Sequence, residues 1–525
     1  MKTAKRILAT LLAALMSLGL LAFTAGASEP MSTGVHGELK ISSPDHDVST
    51  SGSREAVDLG GGPNGNMILW LQKQGRYIVE LAPGVTEAMH MTLIIAPGLG
   101  TFQSGPIEVT LRNLRMRAPF ISARMVEPAI KLTYLGQGKS FTLKLEGENV
   151  LTSPQEAKLG SGTHRTSNYL LNLENMDDNT INIEGPGSLT LDARGTANIG
   201  GLGKGYAQGG YPKVNINGGT VTAYGGDNMP GIGVDYTDGL DLYINGGTVT
   251  STGGLGAPGI GDRIFWAEAN PRFTGVTVNG GTVTAIGNGA PGIGGRMDES
   301  SGIVGTVHIN GGVVTARDAA GEFPDIAGTS GAVDGDAVVF ADRFLSTVAL
   351  TRGLVFSNNV GTLFGDRVTV TGNVAFPAGS RLTVPSGKTL AVLEGKTVTN
   401  NGAIANDGTV LANMAGYGTL TPALHVHAYA CTHTQPTCTE TGIRTYACLC
   451  GDRYVERYGV ALGCDWGEWT AIQAATIRTG GTEIRRCLRD VSHFEMRTTP
   501  PLPCPLPGFL QWILRYLFFG WLWMR

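Results

Sequence analysis

One ten-residue phrase, Val-Asn-Ile-Asn-Gly-Gly-Thr-Val-Thr-Ala, recurs with small changes through the middle of this chain. Its Asn-Gly-Gly cores begin at Asn217, Asn245, Asn279 and Asn310, at spacings of 28, 34 and 31 residues. A second phrase travels with it: Pro230-Gly231-Ile232-Gly233, then Pro258-Gly259-Ile260-Gly261, then Pro291-Gly292-Ile293-Gly294. By Pro324-Asp325-Ile326-Ala327 it has decayed. A two-part repeat of this length calls for an array of one stacked unit.

Within each copy the alternation is strict. Val214 and Ile216 point one way and Asn215 and Asn217 the other; past the Gly-Gly corner Val221 rejoins the apolar side while Thr220 and Thr222 face out. Period two makes half-buried strands. Coils stacked about 4.8 Å apart would line up Val and Ile inside and bring Asn217, Asn245, Asn279 and Asn310 into an amide ladder. Asn-Gly between apolar runs is also a hairpin signal, which would give an antiparallel meander. The separately spaced Gly-Ile-Gly phrase is unexplained by a hairpin. The expectation is therefore an all-β chain: a solenoid of stacked parallel coils, which the resemblance given below implies to be a right-handed parallel β-helix, followed by a small Cys-rich module and a short apolar tail.

Lys2, Lys5 and Arg6 precede an apolar run to Phe23 and an Ala25-Gly26-Ala27 site, so residues 1–27 read as a signal peptide and the protein as exported. Residues 28–65, rich in Ser, Gly, Pro and Asp, read as a mobile leader. The solenoid is expected over 66–424, with the sharpest repeats at 181–330. The 78 glycines are periodic and flank Val, Ile and Thr, which marks them as corners of ordered structure. A net charge of -4 with no basic cluster argues against nucleic acid as a partner. All seven cysteines lie from Cys431 onward, so disulfides do not hold the solenoid.

The run Asn279-Gly280-Gly281-Thr282-Val283-Thr284-Ala285, continued by Ala290-Pro291-Gly292-Ile293-Gly294-Gly295, resembles the repeats of secreted, glycine-rich right-handed β-helix surface proteins of Gram-positive bacteria. Some relatives are described as carbohydrate-binding-domain proteins. The resemblance covers about residues 140–424. It implies a cell-surface protein that binds a polysaccharide or another host or bacterial surface ligand without catalysis. The candidate surface is a hydroxyl strip of Thr220, Thr222, Thr248, Thr250, Thr282 and Thr284, with Tyr224, Tyr243 and Trp266 as aromatics. One alternative is a pectin-type lyase or hydrolase on the same scaffold; another is a structural stalk or adhesin. Glycoside hydrolysis needs paired carboxylates. The adjacent pair, Asp177-Asp178, reads as a turn before the strand at Ile181. Asp227, Asp235, Asp238, Asp241, Asp262 and Asp298 are scattered through the loops, where loose calcium binding competes with plain solvation.

From His425 to 500 the composition changes. Pro436-Thr437-Cys438, Tyr446-Ala447-Cys448-Leu449-Cys450-Gly451 and Ala461-Leu462-Gly463-Cys464 resemble a small cysteine repeat found near the C-termini of secreted Gram-positive proteins, with Cys464 in the place of a His. The expected zinc ligands are Cys438, Cys448, Cys450 and Cys464, in a closed structural site; His427 or His433 are substitutes. Disulfide pairing is equally open to an exported chain. A second, decayed copy retains Cys487 and His493 but has Ile477 in a cysteine's place, too little to hold metal alone. Residues 501–525 form a Pro-rich hinge and an aromatic tail from Gly508 to Arg525, read as a membrane-associating anchor.

Overall fold

The computed structural model describes residues 31–52, 55–62, 65–97, 107–122, 125–133, 135, 138–154, 168–176, 178–205, 211–235, 239–263, 272–295, 305–421, 429–448 and 453–503. The signal-like segment and the apolar tail lie outside them. Among the described residues the elements are all strands, and no helix is long and apolar enough to cross a membrane. The chain divides into two compact units between Leu424 and His425, where the composition shifts.

The first unit is a parallel β-helix. Each central coil contributes three strands: Lys213–Ile216, Thr220–Tyr224 and Ile232–Asp235 in one, Gly239–Ile244, Thr248–Thr252 and Ile260–Arg263 in the next. Like strands pair in parallel from coil to coil, without a register shift across Thr220, Thr248 and Thr282. The meander is thereby excluded, since hairpins would pair antiparallel. Three faces result, and each sends a column inward. Ile183, Ile216, Ile244, Val278 and Ile309 form one; Leu189, Val221, Val249, Val283 and Val314 the second; Leu202, Ile232, Ile260, Ile293 and Ile326 the third. All of these are essentially inaccessible to solvent. Each such side chain contributes about 1.5–3 kcal/mol on burial, so the columns are the main stabilising term.

The spelling of the repeat follows from the stacking. In Asn-Gly-Gly the second glycine adopts φ of 75, 74, 79 and 81° at Gly219, Gly247, Gly281 and Gly312, a region that disfavours side chains. At the first, a Cβ on Gly246 or Gly280 would lie 2.8 Å from the Asn carbonyl oxygen of the preceding coil. The Asn side chains form the expected ladder: Asn245 donates to Asn217 (2.9 Å), Asn279 to Asn245 (2.8 Å) and Asn310 to Asn279 (2.9 Å). Asn245→Ala removes two rungs at once. At about 1 kcal/mol net for an exposed pair of amide bonds, it should lower the urea midpoint modestly, and Asn310→Ala, with one rung, by less.

Residues 28–65 are not a mobile leader where they are described. Ser32–His36 and Leu39–Ser43 form a hairpin whose second strand pairs antiparallel with Gly75–Leu81, itself parallel to Ile107–Arg112. Leu39, Ile41, Val48 and Val57 are fully buried. The segment covers the edge of the first coils, which would otherwise present unpaired backbone groups. Its polar composition hid a short alternation, Leu39-Lys40-Ile41.

The other end changes too. Thr306–Asp318 runs as one strand through the corner, and Ser330–Phe340 and Val348–Ser357 follow in parallel. The chain then reverses into Val360–Phe364, antiparallel to Val348–Ser357. Beyond it, shorter coils stack: Arg367 pairs with Thr389 and Thr389 with Thr409, Val374–Phe376 begins a second ladder, and Arg381–Val384 continues a third from Val360–Phe364. These coils have their own core, in which Phe356 packs between Phe340 (5.0 Å) and Phe376 (4.9 Å). Val314, Val339 and Val355 belong to the first core, whereas Val313, Val338 and Leu354 belong to the second. The late strands are thus buried on both sides.

Candidate functional site

On the first unit the outward face of the middle strand carries two threonine columns in exact register. Thr220, Thr248 and Thr282 are exposed; Thr222, Thr250 and Thr284, continued by Thr190 and Thr315, are half-buried. The first column ends at Val313, which pairs with Thr282 and is covered by the second core. Upstream coils differ in character: Lys144–Glu108, Arg112–Glu146 and Arg115–Glu148 form ion pairs across them. The threonine region is a neutral strip between a charged stretch and a covered one.

The aromatic candidates do not join this strip as a group. Tyr224 lies at its edge, in register with Asp192 and Thr252, but the Arg194 guanidinium sits 4.0 Å from its ring centroid, held by the Asp192 carboxylate. Tyr243 stands across the Asn-Gly-Gly corner on the neighbouring face, in register with Asn215 and Thr277, with the Lys213 ammonium 5.2 Å from its ring. Trp266 lies outside the described residues, as do Asp177, Asp238 and Asp298. Asp178 occupies a left-handed turn position, φ 52°, just before the strand Thr180–Glu184, as its turn reading requires.

At the next corner, between the threonine and Gly-Ile-Gly strands, lies an open cleft of about 370 Å³. It is lined by Asn228, Leu255, Asn288, Glu322 and Phe323, one or two residues from each of four successive coils. Leu255 is 63 % exposed at its rim. The floor is held by Asp318: its two carboxylate oxygens accept from the backbone N–H groups of Gly289 (2.9 Å), Ala320 (3.1 Å), Glu322 (2.6 Å) and Phe323 (2.9 Å). Burial raises the Asp318 carboxyl, but these four donors outweigh it and hold the group below its ordinary value of 3.8. The repeat phrases gave no hint of this cleft, because its residues fall in the variable loops between them.

The second unit contains two three-stranded antiparallel sheets, one from Tyr429–Thr434, Gly442–Cys448 and Arg453–Tyr458, the other from Thr470–Gln473, Gly481–Arg486 and Phe494–Thr499. The decayed copy is therefore a complete fold. Cys438, in the loop before Gly442, is tied to the chain before Cys464 by Gly463 N–H donating to the Cys438 carbonyl (3.1 Å). Trp466 bridges to Cys487, and the Cys487 N–H donates to the His493 carbonyl (3.0 Å). The side chains converge. Sγ of Cys438 lies 3.3 Å from Sγ of Cys487, and Sγ of Cys464 lies 3.5 Å from Nδ1 of His493. The ligand atoms of Cys438, Cys464 and His493 all fall within 4.8 Å of one another.

Among the described residues the set brought together differs from the one read in the sequence. Cys448 ends the strand that Gly442 begins, six residues or roughly 20 Å away at strand rise, so its backbone is remote from the Cys438 loop. Cys450 lies outside the described residues, as does His427. His433 is exposed, its ring edge-on to Tyr458. The partners that join Cys438 and Cys464 are Cys487 and His493, from the copy that looked too eroded to count. The hydrogen shared with Cys487 raises the Cys438 thiol to about 11; Cys487, which burial alone would raise, is brought down to about 7 by backbone N–H groups and by Cys438.

No curated protein and no solved structure matches the chain. A family model described as a β-helix repeat matches residues 214–233, 242–262 and 276–295, the three sharpest coils. With its ladders of parallel strands, the match supports a parallel β-helix fold for the first unit.

Proposed function

We propose that the chain is an exported, envelope-associated β-helix that binds a polysaccharide along its threonine face and the adjoining cleft, without cleaving it. The observation that carries this reading is the pair of threonine columns in unbroken register across the strands Thr220–Tyr224, Thr248–Thr252 and Thr282–Gly287. A flat row of hydroxyls repeating every coil, about 4.8 Å, suits a ligand that itself repeats. The cleft adds what sugar recognition uses elsewhere: the side-chain amides of Asn228 and Asn288, the Glu322 carboxylate, and apolar surface from Leu255 and Phe323. Export rests on the Lys2-to-Ala27 pattern, and attachment to the envelope on the aromatic run after Gly508.

The test is a glycan array with the mature chain, followed by affinity measurement on any hit. Replacing both Thr222 and Thr250 with Val keeps the β-branched shape and removes two hydroxyls. At about 0.5–1.5 kcal/mol per bond the double variant should bind roughly tenfold more weakly. A blank array, or equal affinity for the variant, would sink the proposal, and release of sugar ends from polygalacturonate with calcium would replace it by the lyase or hydrolase reading.

A further inference from the structure

We infer that the two C-terminal modules share one structural zinc-type metal site, with Cys438, Cys464, Cys487 and His493 as its ligands. The inference is independent of the glycan reading.

Each module supplies two ligands, so neither closes a site by itself. Cys438 and Cys464 come from the loops of the first, Cys487 and His493 from the end of a strand and the following turn of the second. Sulfurs bound about 2.3 Å from one zinc lie about 3.8 Å apart across a tetrahedron, and a sulfur and a nitrogen about 3.6 Å. The 3.3 Å between Cys438 and Cys487 and the 3.5 Å between Cys464 and His493 are close to those edges. The remaining spacings among Cys438, Cys464 and His493 stay within 4.8 Å, which a small inward turn of the side chains closes. Cys438 and Cys487 are buried, and His493 directs Nδ1 to the cluster while Nε2 faces the Asp490 carboxylate at 3.8 Å. An outward carboxylate on a ligating imidazole is the usual way to fix its orientation.

The ligand chemistry, three sulfurs and one imidazole, selects a borderline-soft divalent ion over calcium or magnesium. On binding, each thiol releases its proton to solvent as its sulfur takes the metal. Four protein ligands leave no open position, so the site has a structural role, not a catalytic one. The rival use of the same atoms is a Cys438–Cys487 disulfide, which would leave the convergence of Cys464 and His493 without purpose.

The experiment uses the full chain, purified with a reductant and loaded with cobalt(II) as an optical probe for zinc. One cobalt per chain is expected, with the visible bands of a tetrahedral ion and strong thiolate charge transfer, both displaced by zinc. Cys487→Ser and His493→Ala should each weaken binding by roughly a hundredfold or more. Cys448→Ser and Cys450→Ser should leave the spectrum unchanged. His493→Cys separates ligation from folding: it should restore the tetrahedral bands with added thiolate intensity. The inference fails if Cys487→Ser and His493→Ala bind normally, if Cys448→Ser or Cys450→Ser abolishes the spectrum, or if peptide mapping of the untreated chain finds Cys438 joined to Cys487.

Discussion

Gly261→Ala is expected to unfold the central coils, with a loss of roughly 3 kcal/mol or more. A Cβ at this position would sit 1.9 Å from the Gly294 carbonyl oxygen and 2.6 Å from its carbon. That carbonyl belongs to the next coil, whose Gly294 N–H donates back to Ile260 (2.8 Å), so it has nowhere to move without parting the stack. The same conflict awaits at Gly203, Gly233 and Gly294, where the distances are 1.8 Å each. The four glycines form a column in which each absent side chain is the room for the next coil's backbone. Gly395→Ala is the control. That glycine also has a positive φ, 75°, but meets nothing within 4 Å, so alanine there should lose only about 1–2 kcal/mol. Denaturant midpoints of the two variants, with soluble yield, check the difference; equal losses would show that the column does not set the coil spacing.

Asp318→Ala should be nearly as damaging and more local. It removes the side-chain acceptor of four backbone N–H groups, for a loss of roughly 2–4 kcal/mol. Asp318→Asn keeps the size but offers one acceptor oxygen and brings two donors against donors, so it should rescue little. The pH dependence has a definite sign. The folded-state value is depressed, so the carboxylate's stabilisation is fully present above its unfolded value of 3.8 and is lost as pH falls through the lower folded value. Acid unfolding followed by fluorescence should therefore show wild type losing an increment below pH 3.8 that Asp318→Asn lacks. If both chains share one acid transition, the carboxylate is not the staple of this loop. Because the loop floors the cleft, either variant should also weaken glycan binding at neutral pH.

The coil architecture was legible because its causes are periodic. Val214 and Ile216, the Gly-Gly corner and the Asn ladder all repeat, and the three columns follow from them directly. The N-terminal cap was not, because one short alternation in a polar stretch carries little signal until its partner strand, Gly75–Leu81, is known. The second core had a signal that went unread. Val313 stands where Thr220, Thr248 and Thr282 stand, and a threonine turned to valine on an outward column marks the point at which that face is covered. The cysteine cluster was half legible. Residue types suggested a metal site, but assigning ligands within one copy of a repeat missed a cluster assembled from two. The cleft had no sequence signal, since it is made of loop residues spread from Asn228 to Phe323 with no shared motif.

The interlocking of glycine and carbonyl has one more implication. Every central coil offers the same upper and lower surface to its neighbours, so the coils are interchangeable parts. Joining Ile216 directly to Asn245 would omit a whole coil and still leave Ile216 over the β-branched Val278, Asn245 under Asn279 and glycine on carbonyl. The reach of this molecule is therefore open to adjustment in whole steps, with the chemistry of the face unchanged at each length.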